Sequence, residues 1–366
     1  MLETHSNKTI FVIMGIVIIA LMIDTLLIKF YSFSTTSQSN SSFRVTVFLA
    51  LGCICAITQY LILWFVKNTS KQIRGMKRLY LDPIHKTVTI VQSVLISIFV
   101  FVILDLIITS SYSLFMILAV IGISYSLCIM MLGLLAQRFF SWFKSNRNPV
   151  VLLYGLSSLA LAINTSFTLA LVTVILSGLP GHITAHIVQS YAPFIARGSA
   201  LEILNYLNIV CTVASFTITW VATVFVLRHF SKTMGRTKFW VILSIPLGYF
   251  LIQFLPLFSN LFSQTETIYF LYTMFFTFSK PIGGILFGIA FWTATRSLRR
   301  NSIVKDYMII SAYGLVLLFV SNQAIAFVNE PYPPFGLMTT SFLGLSSYLL
   351  LIGTYYSAVS VAEDSK

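Results

Sequence analysis

The sequence predicts an all-α protein, a polytopic bundle of about ten transmembrane helices. Of its 366 residues, 57% are hydrophobic and only 9% are charged, and the mean hydropathy is +0.91. Soluble domains carry roughly 25% charged residues and cannot bury an apolar excess of this size. The apolar residues also fall into runs of about 20, the length a helix needs to cross a bilayer. We therefore expect one multi-pass domain over residues 1–366, in the cell membrane.

Ten apolar runs are long enough to be predicted as spans. They cover residues 9–30, 44–66, 87–109, 113–135, 149–177, 203–227, 239–262, 268–293, 306–327 and 337–360. The first run is too long, and its charged flank, which is only Lys8, too thin, for a cleaved signal peptide.

The distribution of positive charge predicts how the chain is threaded. With the N-terminus inside, nineteen of the 23 lysines and arginines lie on the cytoplasmic side and three on the outer side. Cytoplasmic loops carry such an excess, so both termini are predicted to be cytoplasmic. The net charge of +13 is then explained by topology, and no nucleic-acid partner is predicted.

The cytoplasmic connection at residues 67–86 has a pattern of its own. Lys71, Arg74, Lys77 and Arg78 alternate with apolar residues at helical spacing. Basic amphipathic helices lie flat on membranes and attract anionic lipid. The pattern predicts contact with anionic lipid of the inner leaflet, with a cytoplasmic protein partner as the alternative.

The eighth run contains a lysine, Lys280, followed by Pro281. Lys280 lies 12 residues from the start of the run, about 18 Å deep at the helical rise. A lysine at mid-membrane costs roughly 2.5–3.5 kcal/mol, so it needs a partner or a wet cavity. Pro281 is expected to kink the helix, and Gly284 and Gly288 share the face of Lys280 and predict close helix packing. A structural ion pair and a ligand or ion site are both consistent with this pattern.

Two aspartates are the other charges inside predicted spans. Asp24 lies about 9 Å and Asp105 about 6 Å below the outer helix ends, by the same rise estimate. Unpaired charges within a membrane are rare. We therefore expect a Lys280–Asp105 pair, or a triad that includes Asp24.

Neutral polar residues also fall within the spans, and side chains of this kind bond across membrane helices. We expect each to hold helices together, and jointly they can line a small polar cavity. They are Gln59, Gln92, Asn164, Asn205, Asn208, Gln253, Asn322 and Gln323.

The last run ends in the sequence Gly353-Thr354-Tyr355-Tyr356-Ser357-Ala358-Val359-Ser360, followed by Val361-Ala362-Glu363-Asp364-Ser365-Lys366. This end resembles uncharacterised multi-pass membrane proteins of archaea, in which a similar last helix leads into a cytoplasmic helical tail. The resemblance carries over no site residue. If such a tail follows in a longer form of the chain, it favours a role in signal input.

Catalytic signatures such as HExxH, GxSxG and the phosphate loop do not occur, and no histidine lies within a span. No enzyme activity, cofactor or metal is therefore predicted. Glycine is 18 of 366 residues, about 5%, below the usual 7%, which favours a sensor-like or scaffold domain over a transporter. A transporter of small solutes or ions is the alternative, because Asp105 and Lys280 fall in the third and eighth runs, equivalent positions in two inverted halves.

Overall fold

A computed structural model of the chain describes residues 2–33, 41–72, 82–179, 181–184, 198–228, 235–254, 278–296, 303–322 and 332–364. Within these ranges, each of the predicted apolar runs overlaps one helix. The helices are α1 Leu2–Phe33, α2 Ser41–Gln72, α3 Asp82–Thr109, α4 Leu114–Asn146, α5 Pro149–Ser177, α6 Ala200–Leu227, α7 Arg236–Ile252, α8 Ser279–Arg296, α9 Ile303–Ser321 and α10 Leu337–Asp364.

Six of the described helices are long and apolar enough to cross a membrane, so the chain is a multi-pass membrane protein of the all-α class. These stretches are Phe43–Lys67, Pro83–Thr109, Leu114–Ser145, Pro149–Ser177, Ala200–Leu227 and Leu337–Ser357. A shorter apolar stretch, Val12–Leu27, lies in α1. Ten spans and cytoplasmic termini go beyond these six helices and stay predictions. Parts of the predicted runs, at residues 255–262, 268–277 and 323–327, lie outside the described residues.

The chain divides into two compact units. Unit 1 comprises Met1–Ser124, Val172–Phe194 and Ser321–Leu345. Unit 2 comprises Tyr125–Leu171, Ile195–Val320 and Ser346–Lys366. The prediction of one membrane domain over the whole chain stays a prediction.

In unit 1, α1 packs on α2, and α2 packs on α3. Met14, Val17 and Leu21 form a buried face of α1, at the three-to-four-residue spacing of one helix side. Gly52 of α2 lets the ring of Phe99 of α3 approach its backbone, because a Cβ at this position would lie 2.5 Å from that ring. The opposite face of α1 is exposed and apolar, as expected for a surface in contact with lipid. It carries Val12, Ile16, Ile19 and Ile23.

A two-stranded ribbon in unit 1 was not predicted. Strand β1, Ser111–Ser113, pairs antiparallel with β2, His182–Thr184. Tyr112, at the centre of β1, is buried, and its ring stacks on Tyr332 with a centroid distance of 6.3 Å. Burial, and then the neighbouring Tyr332, raise the pKa of the Tyr112 phenol, so this ring stays uncharged in the physiological range. Strands of three residues are too short for an alternating pattern to show in the sequence.

In unit 2, α6, α7 and α8 pack around a cluster of phenylalanine rings. Phe216 of α6 stacks on Phe250 of α7, with centroids 3.7 Å apart. Phe287 of α8 and Phe319 of α9 lie 5.2 and 5.8 Å from the same ring. Gly283 brings the α8 backbone against Phe216, since a Cβ there would overlap the ring. The phenylalanine rings thus fill the space between α6, α7, α8 and α9.

Candidate functional site

Asp24, one of the predicted charged residues, is fully buried in unit 1 and holds the start of α10. Its Oδ1 accepts a hydrogen bond from the main-chain N–H of Gly336 at 2.9 Å. Its Oδ2 accepts two bonds from Thr339, one from the main-chain N–H at 3.1 Å and one from the hydroxyl at 2.7 Å. The side chain is 0% exposed, so these donors take the place of water.

Local chemistry explains why this carboxylate lies there. The first N–H groups of a helix have no partner within the helix, and the helix dipole places partial positive charge among them. Gly336 precedes α10 with a φ of +91°, a conformation that glycine adopts without steric cost. An acidic side chain from α1 therefore caps a helix more than 300 positions along the chain, with a sequence separation of 312 at Gly336.

One turn further along α10, two glutamines converge on Ser341. Gln59 of α2 donates from Nε2 to the Ser341 hydroxyl at 2.7 Å, and Gln92 of α3 donates to the Ser341 carbonyl at 3.3 Å. The Ser341 hydroxyl in turn donates to the carbonyl of Met338 at 2.7 Å. Both glutamines are buried. They bond across helices, as the sequence predicted for residues of this type.

A second polar cluster joins α5 and α6 in unit 2, and its register is regular. Asn164 Oδ1 accepts from the Thr212 hydroxyl at 2.8 Å, and Asn208 Oδ1 accepts from the Thr168 hydroxyl at 2.8 Å. Towards the other end of α5, the hydroxyls of Ser157 and Thr219 lie 2.6 Å apart.

From one pair to the next, the residue number on α6 decreases by as much as the residue number on α5 increases. We call this row of pairs the polar seam. All six side chains are buried. A constant register of this kind indicates an antiparallel helix pair, held by polar contacts along its length.

We expect Asn164→Leu to lower the free energy of unfolding by about 1 kcal/mol, because polar contacts between membrane helices average about 0.6 kcal/mol and reach about 1.7. Thermal or SDS-induced unfolding of the purified protein measures the loss. A double-mutant cycle with Thr212→Val isolates the pair.

Ser166→Ala is the matched control on α5, because that serine is exposed and bonds only within its own helix, to Ala162. A loss at Ser166 as large as at Asn164, or a cycle without coupling, would contradict the role of the seam.

Asp105, in the last turn of α3, is only half-buried. Its neighbours Phe101 and Ile108 are 59% and 76% exposed. Within the described residues, no hydrogen bond or ion pair of its carboxylate is found; only its main-chain oxygen accepts, from the Thr109 hydroxyl.

Lys280 lies in the first turn of α8, beside Ser279, whose hydroxyl donates to Gln253 Oε1 at 2.8 Å. The depth of 18 Å was counted from residue 268, and residues 268–277 lie outside the described residues, so this depth stays a prediction. Pro281 occupies the first turn of α8, where its missing N–H costs no bond within that helix. Because residues 268–277 are not described, the kink expected at Pro281 also stays a prediction. Lys280 belongs to unit 2 and both aspartates to unit 1. Their pairing stays a prediction.

Gly284 and Gly288 of α8 lie against α9. A Cβ on Gly284 would lie 2.7 Å from Phe319 Cβ, and one on Gly288 would lie 3.1 Å from the Ala312 carbonyl oxygen and overlap Val316. This is the close approach that small residues allow between membrane helices.

Sequence reasoning did not single out Thr339 or Ser341, which are partners of the buried polar groups in unit 1. The sequence does carry one local signal, a helix start after Pro333, Pro334 and Gly336. Which distant side chain caps that start is a long-range property and has no local signature.

No family model, no curated protein and no solved structure matches the chain. The resemblance of the last helix to archaeal membrane proteins therefore stays an expectation.

Proposed function

We propose that the chain is a sensor-like or scaffold membrane domain rather than a transporter. The observation that supports the proposal is that Asp24 is buried with both carboxylate oxygens hydrogen-bonded. A carboxylate that binds a transported ion must exchange its ligands with that ion in each cycle. Both oxygens of Asp24 are engaged by α10, and the side chain is 0% exposed. Releasing them would leave the first N–H groups of α10 without partners, which costs about 1–3 kcal/mol for each buried group.

Four buried amide side chains support the same proposal. Gln59, Gln92, Asn164 and Asn208 all bond to other helices within their own unit. Groups used in this way fix helix positions and do not offer a chain of free ligands to a solute. A stable helical platform of this kind suits a protein that receives or presents a signal in the membrane.

Uptake measurements on the reconstituted protein test the proposal. Proteoliposomes with the full chain are compared with empty liposomes for labelled amino acids, sugars, sodium and phosphate, and the Lys280→Met variant is measured in parallel. We expect no accumulation above the empty liposomes with either protein.

Uptake by the natural chain that Lys280→Met abolishes, while its elution profile and melting temperature are kept, would establish transport instead. Trypsin protection of the same proteoliposomes with each solute gives the positive readout. Cleavage at cytoplasmic lysines and arginines that one solute alters without uptake supports a sensor, whereas cleavage that none alters supports a scaffold.

We also propose that the connection between α2 and α3 binds anionic lipid on the cytoplasmic side. Lys71 lies in the last turn of α2, and Arg74, Lys77 and Arg78 lie outside the described residues. What supports the proposal is the alternation of basic and apolar residues and the excess of positive charge on one side of the predicted topology.

Replacing Lys71, Arg74, Lys77 and Arg78 by glutamine is expected to reduce the anionic lipid that copurifies with the protein by about tenfold or more, since each basic residue contributes about 1 kcal/mol. Lipid analysis of protein purified from mixed phosphatidylglycerol and phosphatidylcholine membranes measures the change. Exchanging lysine for arginine and arginine for lysine at the same positions keeps the charge and should keep the lipid. Equal retention by the glutamine variant would contradict the proposal.

A further inference from the structure

Gln92 has a buried oxygen that nothing in the described part of the chain satisfies. Its side chain is 0% exposed, and Nε2 donates to the Ser341 carbonyl, but Oε1 has no hydrogen-bond partner. A buried acceptor without a partner costs about 1–3 kcal/mol. Such groups in native proteins are commonly satisfied by ordered water.

A small cavity in unit 1 is lined by Leu95 and Ile96, which lie one helical turn after Gln92 on α3. The cavity has a volume of about 10 Å³, close to the smallest that holds one water molecule. Its wall is formed by Cys55, Ala56, Gln59, Leu95, Ile96, Phe99, Met338 and Ser341. The wall therefore includes Gln59 and Ser341, which share the hydrogen-bond cluster with Gln92.

We propose that the cavity binds a single water molecule, which completes the hydrogen bonding of Gln92, Gln59 and Ser341. The Ser341 hydroxyl donates to Met338 and accepts from Gln59, so its second lone pair is left for another donor. Gln59 Nε2 has a second hydrogen, and Gln92 Oε1 needs a donor. A water that donates to Gln92 Oε1 and to the Ser341 hydroxyl, and accepts from Gln59, makes about three bonds, the usual number for buried water.

The reach of one water fits this arrangement. Gln92 Nε2 lies 3.3 Å from the Ser341 carbonyl oxygen, and Oε1 belongs to the same amide group. A water spans two groups that are up to roughly 5.6 Å apart, twice an ordinary hydrogen bond. The water then links α2, α3 and α10 at one point, directly after the turn that Asp24 caps.

The chemistry of the wall favours water over a metal cation. Both glutamines present N–H groups to Ser341, and a cation would face those partial positive charges. The carboxylate of unit 1 that is buried at the start of α10, Asp24, has both oxygens engaged. Water can donate and accept at once, which a mixed set of donors and acceptors requires.

The Ala56→Val substitution tests the proposal, because it places two methyl groups at the cavity wall. If a bonded water is displaced, we expect the melting temperature to fall by about 2–4 °C, the equivalent of one lost hydrogen bond. In the Gln92→Met background the acceptor is gone, and the same substitution should raise the melting temperature or leave it unchanged. The measured quantity is the change in melting temperature caused by Ala56→Val, compared between the natural chain and the Gln92→Met variant.

An equal shift in both backgrounds, whether upward from filling a dry cavity or downward from overpacking, overturns the proposal. A high-resolution density map of the natural chain gives an independent result where Gln92→Met fails to fold. A peak within hydrogen-bond distance of Gln92 Oε1 and the Ser341 hydroxyl supports the water, and an empty cavity at that resolution refutes it.

Discussion

Asp24→Ala is expected to lower the free energy of unfolding by about 3 kcal/mol, because three buried donors at the start of α10 lose their acceptor together. These are the main-chain N–H groups of Gly336 and Thr339 and the Thr339 hydroxyl. The side chain is 0% exposed, so bulk water does not share these bonds in the natural chain. Reversible unfolding in mixed micelles, or the melting temperature in detergent, measures the loss.

Two variants separate the cap from other effects of this change. Asp24→Asn keeps one oxygen acceptor but turns an amide NH₂ towards the N–H groups of the helix, so an intermediate loss of about 1–2 kcal/mol is expected. Asp105→Asn is the matched control on a half-buried aspartate without a described side-chain bond, and should change stability by less than about 0.5 kcal/mol. Equal losses at Asp24 and Asp105 would contradict the capping role.

The helices were predictable because each long apolar run must satisfy its own backbone within a membrane. The α5 boundaries, Pro149–Ser177, coincide with the predicted run for this reason, and Pro149 fits the first helical position. The number of spans is harder to derive. The run at 268–293 is continuous in hydropathy, and the structure describes its part from Phe278 onward, with α8 at Ser279–Arg296.

The partners of the buried polar groups were predictable by type and not by identity. A buried amide must find a bond, so cross-helix contacts of Asn164 and Gln59 followed from composition alone. For Asp24 the sequence suggested a cation, since opposite charge is the obvious partner of a carboxylate. A helix N-terminus also carries partial positive charge and several donors, and within the described residues it supplies hydrogen bonds to both oxygens of Asp24.

Several of the few glycines in this chain lie at close contacts between helices. Glycine is scarce in this chain, and Gly284, Gly288, Gly314 and Gly353 all lie where two helix backbones or a backbone and a ring meet in unit 2. The four-residue spacing of Gly284 and Gly288 made the contact of α8 with α9 predictable from the sequence. Gly314 and Gly353 lie on different helices, so no local spacing relates them.

Gly353→Ala is expected to lower the free energy of unfolding by about 3 kcal/mol, at the upper end of the cost of overpacking. A Cβ on Gly353 would lie 2.5 Å from the Tyr307 carbonyl oxygen and 2.6 Å from the Ser311 main-chain nitrogen, and would overlap the Ser311 hydroxyl. Backbone atoms cannot rotate away as a side chain can. The two helices, α9 and α10, must therefore separate and lose contacts along their shared length.

Gly314→Ala tests the same interface from α9, where a Cβ would lie 2.5 Å from the Leu350 main-chain nitrogen. Its cost should be similar, and the double variant should lose less than the sum, because one separation of the helices relieves both clashes. Gly133→Ala in α4 is the matched control, with nothing within 4 Å of the added methyl, and should stabilise by about 0.4–1 kcal/mol. Full additivity of the two losses, or a Gly353→Ala protein as stable as the natural one, would show that α9 and α10 do not meet at these glycines.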